Sequence, residues 1–337
     1  MGVGETEPLT PNPSFEDISL LHFLSSRWFK VSLSLGLLFI LFSSVEVAHL
    51  VRQLRAARLD YVGLAFCGYL LGQVASAYRW RLLARPLGFG QPLKTFIAYY
   101  FAGMYLNLFA PSVVAGDVGR GYLLAHGRAR LGAALHSVLA DRVSGLVMLV
   151  WVSAGGFLLW GPSVLPVELY YGVLATTGGS IVIWWGLPCL LERCTSPGNI
   201  VRRSVDRLSL PYRADLALLG SVCGLSVCFH LFQLGLHAVV AAALGLAVPL
   251  WYLVLFIPVV QIFSALPVSF GGLGIREGGY VLCLALWGTG RDEALAFGLV
   301  WSAIVLGANI CGGLAFLVFP EVGFSTATLK KTWDESK

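Results

Sequence analysis

Residues 133–160 read AALHSVLADRVSGLVMLVWVSAGGFLLW, and this run decides the class of fold. Its only Asp, Glu, Lys or Arg residues are Asp141 and Arg142, which lie near its start. A helix needs about 20 mostly apolar residues to cross the hydrocarbon core of a bilayer. The run is long enough for this, so it predicts a membrane-spanning helix, and we interpret the two charges as marking its cytoplasmic end.

Similar apolar runs recur along the chain. The further candidate spans are 29–49, 60–83, 168–191, 216–244, 250–268 and 295–319. The chain is 57% hydrophobic and only 12% charged, whereas soluble proteins carry about 25% charged residues. So little charge cannot cover a globular surface in water. The sequence therefore predicts an all-α fold, a polytopic transmembrane helix bundle with about seven to nine membrane segments.

The same pattern divides the chain into three parts. We expect a polar N-terminal tail at 1–28, a transmembrane domain at 29–320 and a C-terminal tail at 321–337. The basic residues form short clusters between apolar runs, without the interleaved aromatic residues of a nucleic-acid surface. Most of the seven cysteines lie in apolar runs and lack the spacing of a metal site, so we expect no metal or disulfide framework.

Two segments depart from the simple spanning pattern. Residues 93–120 and 264–290 both begin apolar, then break at Pro and Gly, and then carry charge. A broken helix at membrane depth is tolerated only where protein or a water-filled cavity surrounds it. Corresponding broken segments in the two halves of a transporter point to a binding site near the midplane. We therefore predict two broken or re-entrant segments inside the bundle; whether they form an inverted repeat stays open.

The charges in the linkers suggest an orientation. The linker 192–215 contains five arginines, whereas 161–167 and 245–249 contain no Lys or Arg. Because basic loops favour the cytoplasmic side, the first linker is expected inside and the other two outside.

The topology of residues 93–113 has two interpretations. If this segment is re-entrant, the basic stretches 79–94 and 120–130 are both cytoplasmic, although the basic stretch 51–60 then falls outside. If it is a full span, 79–94 lies outside instead. We favour the re-entrant interpretation.

The first interrupted segment holds one candidate site. Pro111 cannot donate a backbone hydrogen bond and helps to end a helix, and Gly116 lets the chain turn. Asp117 and Arg120 are three residues apart and can pair if a helix restarts there. Asn107 lies four residues before Pro111, on the same helix face. An arginine near a helix N-terminus that faces a cavity can hold a phosphate; the alternative is an ordinary helix end with Asp117 as its cap.

The second interrupted segment holds the other candidate site. Gly271, Gly272 and Gly274 permit a tight turn whose exposed amides could bind an anion. Arg276 and Glu277 follow directly, and charges at membrane depth usually face a cavity or one another. The run lacks the G-x-G-x-x-G spacing of a dinucleotide site, because position 277 is Glu. The alternative is a plain loop in which Arg276 extends its charge to the interface.

Two weaker signals are interpreted structurally. The run Arg79–Trp80–Arg81 is typical of an aromatic and basic anchor at a membrane interface. His230 and His237 are seven residues apart on one helix face, a pattern that more often reflects packing or hydrogen bonding than metal binding. No arrangement of Ser, His, Asp or Cys with catalytic spacing is evident.

The order of four segments resembles a known family. The segments are SAYRWRLLARPLG (76–88), GMYLNLFAPSVVAGDVGRGYLL (103–124), ADRVSGLVML (140–149) and LPVSFGGLGIREGG (266–279). They resemble the flippase-like transmembrane family named for the membrane domain of lysylphosphatidylglycerol synthases, over about residues 30–320. The positions that match its motifs, and that the resemblance marks as substrate-binding, are Asn107, Pro111, Gly116, Asp117, Arg120, Gly271, Gly272, Gly274, Arg276 and Glu277.

The resemblance implies a helical membrane domain that moves or binds a lipid. In bifunctional members this domain transfers an aminoacylated phospholipid between leaflets, and a soluble aminoacyl-transfer domain follows it. This sequence stops at Lys337 after its last apolar run, so we expect no synthase activity. Stand-alone members resemble transporters of other lipid-linked substrates, and the family suggests a location in the plasma (inner) membrane.

Our hypothesis from the sequence is therefore a lipid flippase or lipid-binding transporter. Arg120 and Arg276 would hold an anionic headgroup. Asp117 and Glu277 would offset these charges before the lipid binds, or would bind a cationic part of the lipid. Two alternatives stay open: a scaffold that partners a separately encoded lipid-modifying enzyme, and an intramembrane enzyme that uses Asp117 or Glu277 as a base. We expect a membrane lipid as ligand and no cofactor, and the sequence leaves the oligomeric state open.

Overall fold

A computed structural model describes residues 27–43, 45–109, 114–160, 167–196, 215–265 and 271–319, and the single positions 199, 202, 205, 206, 211, 212 and 269. All regular secondary structure in these residues is helical, as predicted. Of the two predicted tails, only residues 27 and 28 fall within the described ranges. Pro111 lies outside them.

The helices follow one another with short connections. In chain order they are α1 (Arg27–Ser43), α2 (Val47–Ala56), α3 (Leu59–Ala84), α4 (Leu93–Leu106), α5 (Val114–Ala125), α6 (Leu131–Trp160), α7 (Val167–Cys194), α8 (Leu216–Ala243), α9 (Leu250–Ala265), α10 (Ile275–Leu286), α11 (Arg291–Cys311) and α12 (Leu314–Val318). Short 3₁₀ turns at Arg85–Leu87 and Arg128–Arg130 precede α4 and α6.

Three helical stretches of the described chain are long and apolar enough to cross a membrane: α6, α8 and Arg291–Val318, which joins α11 to α12. A fourth arises if Ser32–Ser43 and Val47–Ala56, which meet at 94°, together form one span. Helix length and apolar composition thus support three or four spans among the described residues. The predicted count of seven to nine membrane segments is not confirmed and stays a prediction.

Both interrupted segments form helix hairpins. Helix α4 has 14 residues, about 21 Å of helix, which is less than the thickness of a bilayer core. Helix α5 packs back along α4, and α10 packs back along α9 in the same way. A Cβ atom added to Gly279 of α10 would lie 2.9 Å from Val260 of α9, so the second pair is in close contact. This is the geometry expected of broken segments that enter the bundle and return.

The two largest of four apolar clusters form most of the described interior. One joins α3, α4, α5 and α6, and Trp80 stands edge-on to Phe96 at its centre, with ring centroids 4.9 Å apart. The other joins α2, α3, α8, α9, α10 and α11. Helix α8 packs closely along α3, where a Cβ atom at Gly68 would lie 2.6 Å from Leu236. The charged residues described next lie among these helices.

Candidate functional site

Asp141 of α6 is the centre of a buried charge network. Arg79 of α3 donates from Nε to its Oδ1 atom at 2.8 Å. Arg120 of α5 donates from both terminal nitrogens to its Oδ2 atom at 3.0 Å. All three side chains are almost fully buried. Charges are buried in proteins only when they are paired, so Asp141 makes the presence of both arginines in the bundle energetically tolerable.

The network extends from Arg120 through Asp117 to Arg142. Asp117 accepts from Arg120 Nε at 3.1 Å and from two nitrogens of Arg142 at 2.7 and 3.0 Å. The predicted pairing of Asp117 with Arg120 is thus confirmed. We call Arg79, Asp117, Arg120, Asp141 and Arg142 the charge network; with three guanidinium and two carboxylate groups, it has one excess positive charge.

Arg120 is enclosed on every side by protein. Its guanidinium carbon lies 4.8 Å from the ring centres of both Trp80 and Tyr100, and its side chain is 3% exposed. Because two carboxylates and two aromatic faces surround it, Arg120 joins α5 to α3, α4 and α6 in this conformation. The expectation that Arg120 itself contacts a headgroup stays a prediction, and it would require this enclosure to open.

Arg142 has a different environment. Its side chain is 44% accessible, whereas that of Arg120 is only 3% exposed. Arg142 is therefore the arginine of the charge network that a ligand can reach. Tyr69 of α3 is near enough to both Arg142 and Arg276 for electrostatic interaction with each, so the two arginines lie in the same part of the bundle.

Gly116 has a role that differs from the predicted one. We expected it to let the chain turn, but it lies inside the first turn of α5. An added Cβ atom would overlap the carbonyl oxygen of Gly103 and the side-chain oxygen of Asn107. Asn107 Oδ1 accepts from the Gly116 amide at 2.9 Å. Gly116 and Asn107 therefore fix the close approach of α4 and α5, which places Asp117 and Arg120.

Gly116→Ala is expected to destabilise the protein by about 1–3 kcal/mol, because overpacking forces the backbones of α4 and α5 apart. The matched control is Gly220→Ala in α8, where an added Cβ atom has nothing within 4 Å. Thermal unfolding of both variants in detergent, followed by size-exclusion chromatography, measures the difference. Equal melting temperatures for the two variants would contradict this packing role.

The glycine-rich turn before α10 is confirmed. Gly271, Gly272 and Gly274 have φ angles of 60°, 81° and 82°, which side chains other than glycine rarely adopt. One of the amides that we expected to bind an anion, that of Gly274, already donates to Glu277 at 2.6 Å. Glu277 is fully buried and also accepts from the hydroxyl of Ser302 on α11. It therefore anchors the turn to the core.

Arg276 has few partners of its own. Its side chain is 13% exposed, and its closest acceptor is Glu277, 3.5 Å from Nε. Within the described residues its two terminal nitrogens have no hydrogen-bond partner. It is near enough to Tyr69, His237 and Tyr280 for electrostatic interaction with each. Arg276 therefore presents unused donors inside the bundle.

Sequence reasoning missed three members of the charge network. Arg79 was interpreted as an interfacial anchor, and Asp141 and Arg142 as the end of a span. The interpretation is wrong for Arg79, which is buried and paired with Asp141. The position of Asp141 at the cytoplasmic end of its span stays a prediction. A signal was present: an acid inside an apolar run requires a basic partner from another helix, because an isolated charge in lipid is too costly.

No cluster of three or more His, Cys, Asp or Glu side chains suitable for a metal ion occurs in the described part of the chain.

Comparison with known proteins identifies one family. The family described as the lysylphosphatidylglycerol synthase TM region matches residues 27–313, which is most of the chain. Comparison with curated proteins and with solved structures gives no match. The family and the apolar helices identify a multi-pass membrane protein. The chain belongs to the lysylphosphatidylglycerol synthase transmembrane-region family, which the order of its motifs had predicted.

Proposed function

We propose that this protein binds the anionic headgroup of a lipid inside its helix bundle and moves the lipid between the leaflets of the plasma membrane. The observation that carries the proposal is Arg276, whose terminal nitrogens lack hydrogen-bond partners among the described residues although the side chain is largely buried. A desolvated guanidinium is suited to a phosphate, which it can hold through two parallel hydrogen bonds.

The depth of Arg276 supports translocation rather than surface binding. Glu277, the next residue, bonds to Ser302, which lies at the middle of the 21-residue helix α11. The middle of such a helix is about 15 Å from either end, close to the bilayer midplane. A headgroup that reaches Arg276 has thus covered about half of its path.

Arg142 is the second group that we propose for the headgroup. Its side chain is 44% accessible, and the excess positive charge of the charge network favours an anion there. Its partner in this structure is Asp117, so a phosphate would compete with Asp117 for the same donors. Before the phosphate binds, Asp117 would neutralise the charge of Arg142, and Glu277 would neutralise that of Arg276. This is the role that the sequence suggested for the two acidic residues.

In this proposal Arg120 and the glycines position the binding groups. Arg120 holds Asp117 and Asp141 in place, and the turn at Gly271–Gly274 holds Arg276 at depth. Both hairpins belong to a bundle for which we propose seven to nine membrane segments. The chain has no catalytic step in this proposal, and its movement of lipid would be passive or coupled to an ion.

Transport in proteoliposomes tests the proposal. Vesicles that contain a fluorescent phosphatidylglycerol or a fluorescent phosphatidylcholine are exposed to a membrane-impermeant reductant, and the fraction protected from it is followed in time. We expect the purified protein to expose the inner-leaflet phosphatidylglycerol faster than the phosphatidylcholine, because only the first has a net negative headgroup. Protein-free vesicles are the control, and rates equal to theirs for both lipids would refute transport.

A further inference from the structure

Helix α2 lies across one end of the bundle. Just before it begins, the Glu46 amide donates to Asp292 at the start of α11, at 3.2 Å. Towards its end, Gln53 donates to the carbonyl oxygen of Leu244, just after α8, also at 3.2 Å. It meets the Ser32–Ser43 part of α1 at 94°, and its ten residues give about 15 Å of helix, half the thickness of a bilayer core. These contacts suit a helix that follows the membrane surface.

The two faces of α2 differ in character. Leu50 is buried in the apolar cluster that joins α2 to α11, and Leu54 packs against the same cluster. Arg52 and Arg55, three residues apart, lie on the opposite, exposed face. Neither arginine has a hydrogen bond or an ion pair within the described residues. The exposed face of α2 therefore carries two unneutralised positive charges.

The next arginine along the chain does not add to this charge. Arg58 donates to Asp60 at 2.8 Å, and its guanidinium carbon lies 4.1 Å from the centre of the Tyr61 ring. Its charge is neutralised within its own surroundings, so Arg52 and Arg55 are the cations that α2 offers to an anion.

An apolar groove lies beside the end of α2, between α3 and α11. Its volume is about 350 Å³, within the range of about 300–1,000 Å³ that is typical of small-molecule sites. All of its lining residues are apolar or glycine, and they include Leu54 and Ala57 of α2, Gly63 and Phe66 of α3, and Val300 and Ala303 of α11. The groove thus offers apolar contacts along its whole length.

The length of the groove matches one leaflet of a membrane. It begins at α2, beside Arg55, and it reaches Ala303 of α11. Ala303 lies twelve residues after Arg291, the first residue of α11, which corresponds to about 18 Å of helix. Half of a bilayer core is about 15 Å thick. A lipid chain in the groove would therefore have its headgroup at the level of α2.

The groove owes part of its space to a glycine. Gly63 is exposed, and an added Cβ atom there would meet nothing within 4 Å. A larger side chain at this position would occupy the groove without displacing a neighbour near its Cβ atom. Gly63 therefore allows the groove to be filled without disturbing the packing of α3.

We infer that this groove binds a phospholipid with an anionic headgroup, which stays in place while the protein works. One acyl chain lies between α3 and α11, and the phosphate lies at Arg55 and Arg52. The charge at one end of the groove selects this occupant: a lipid phosphate neutralises both arginines, whereas an apolar helix of another protein or of a second copy would leave them unpaired. The groove is separate from Arg276 and from the charge network, so the inference does not rest on the proposed function.

Photolabelling tests this site. Phosphatidylglycerol and phosphatidylcholine, each with a diazirine group on an acyl chain, are added in trace amounts to the protein in detergent micelles that contain excess unlabelled phosphatidylcholine. After illumination, mass spectrometry of the peptides locates the label. We expect the phosphatidylglycerol probe to label residues 59–66 and 300–304 about fivefold more than the phosphatidylcholine probe, because the two arginines attract only the lipid with a net negative charge.

Two variants separate the groove from its charges. Gly63→Leu should reduce the labelling of both segments, by either probe, to the level of other apolar helices. Its matched control is Gly220→Leu, which adds the same side chain at another exposed glycine with nothing within 4 Å, and which should keep the labelling. The double variant Arg52→Gln with Arg55→Gln should lose the preference for phosphatidylglycerol but keep the labelling by phosphatidylcholine.

The result does not depend on the interior site. Arg276→Gln should leave the labelling of both segments unchanged, since the groove lipid is a separate binding event. Equal labelling by the two probes in the wild type would overturn the inference, as would unchanged labelling in folded Gly63→Leu. If Gly63→Leu does not fold, the double arginine variant decides, because both of its substitutions are on an exposed face; an unchanged preference for phosphatidylglycerol would then overturn the inference. None of these outcomes bears on lipid transport through the bundle.

Discussion

Asp141→Asn is expected to destabilise the folded protein by about 3–5 kcal/mol, because one neutralised carboxylate leaves Arg79 and Arg120 buried without their shared counter-charge. The amide keeps the size of the side chain and still accepts one hydrogen bond, so the loss arises from charge rather than from volume. Asp117 compensates Arg120 only in part, since it is already shared with Arg142. Thermal unfolding in detergent, followed by the fraction of monodisperse protein, measures the effect.

Asp60→Asn is the matched control for this substitution. It makes the same chemical change in a pair with Arg58 that is exposed on both sides. Exposed ion pairs contribute little to stability, so its melting temperature should stay close to that of the wild type. If both variants have the same melting temperature, Asp141 does not stabilise the folded bundle. The stabilising role that we assign to the buried ion pairs of the charge network would then be wrong.

Arg276→Gln is expected to weaken the binding of an anionic phospholipid by about ten- to hundredfold while the protein stays folded. A hydrogen bond to a charged group contributes about 1.5–3 kcal/mol, and about 1.4 kcal/mol corresponds to a tenfold change in affinity. The fold should persist because Arg276 makes only a long contact to Glu277, whereas Glu277 keeps its bonds to Gly274 and Ser302. Native mass spectrometry during a titration with phosphatidylglycerol measures the affinity.

Arg58→Gln serves as the control, since it removes an exposed arginine whose side chain contacts Asp60 and Tyr61 at the start of α3. It should bind phosphatidylglycerol as the wild type does. An Arg276→Gln variant with unchanged affinity would exclude Arg276 from the headgroup site.

The sequence predicted the helical class, both interrupted segments and the tight turn, because these depend on local properties. The length of an apolar run predicts a membrane span, and Pro and Gly predict a break in a helix. Neither signal depends on the tertiary structure. The Asp117–Arg120 pair was predictable for the same reason, since three residues on a helix bring side chains together.

The rest of the charge network depends on contacts between distant parts of the chain. Arg79 and Asp141 are 62 residues apart, and Asp117 and Arg142 are 25 apart, so spacing carries no information about either pair. The same applies to Gly116, whose local φ is helical and whose role is set by Gly103 on the neighbouring helix. The histidines of α8 were predicted to be packed or hydrogen-bonded, which is confirmed, but their partners on α6 and α10 required the fold.

The most direct test is the position of a lipid phosphate in an experimental structure of the protein reconstituted with phosphatidylglycerol. We predict the phosphate within hydrogen-bond distance of Arg276, deep between the two hairpins and facing Arg142. A headgroup found only at the outer rim, with the terminal nitrogens of Arg276 bonded to protein groups and no lipid beside Arg142, would contradict binding inside the bundle.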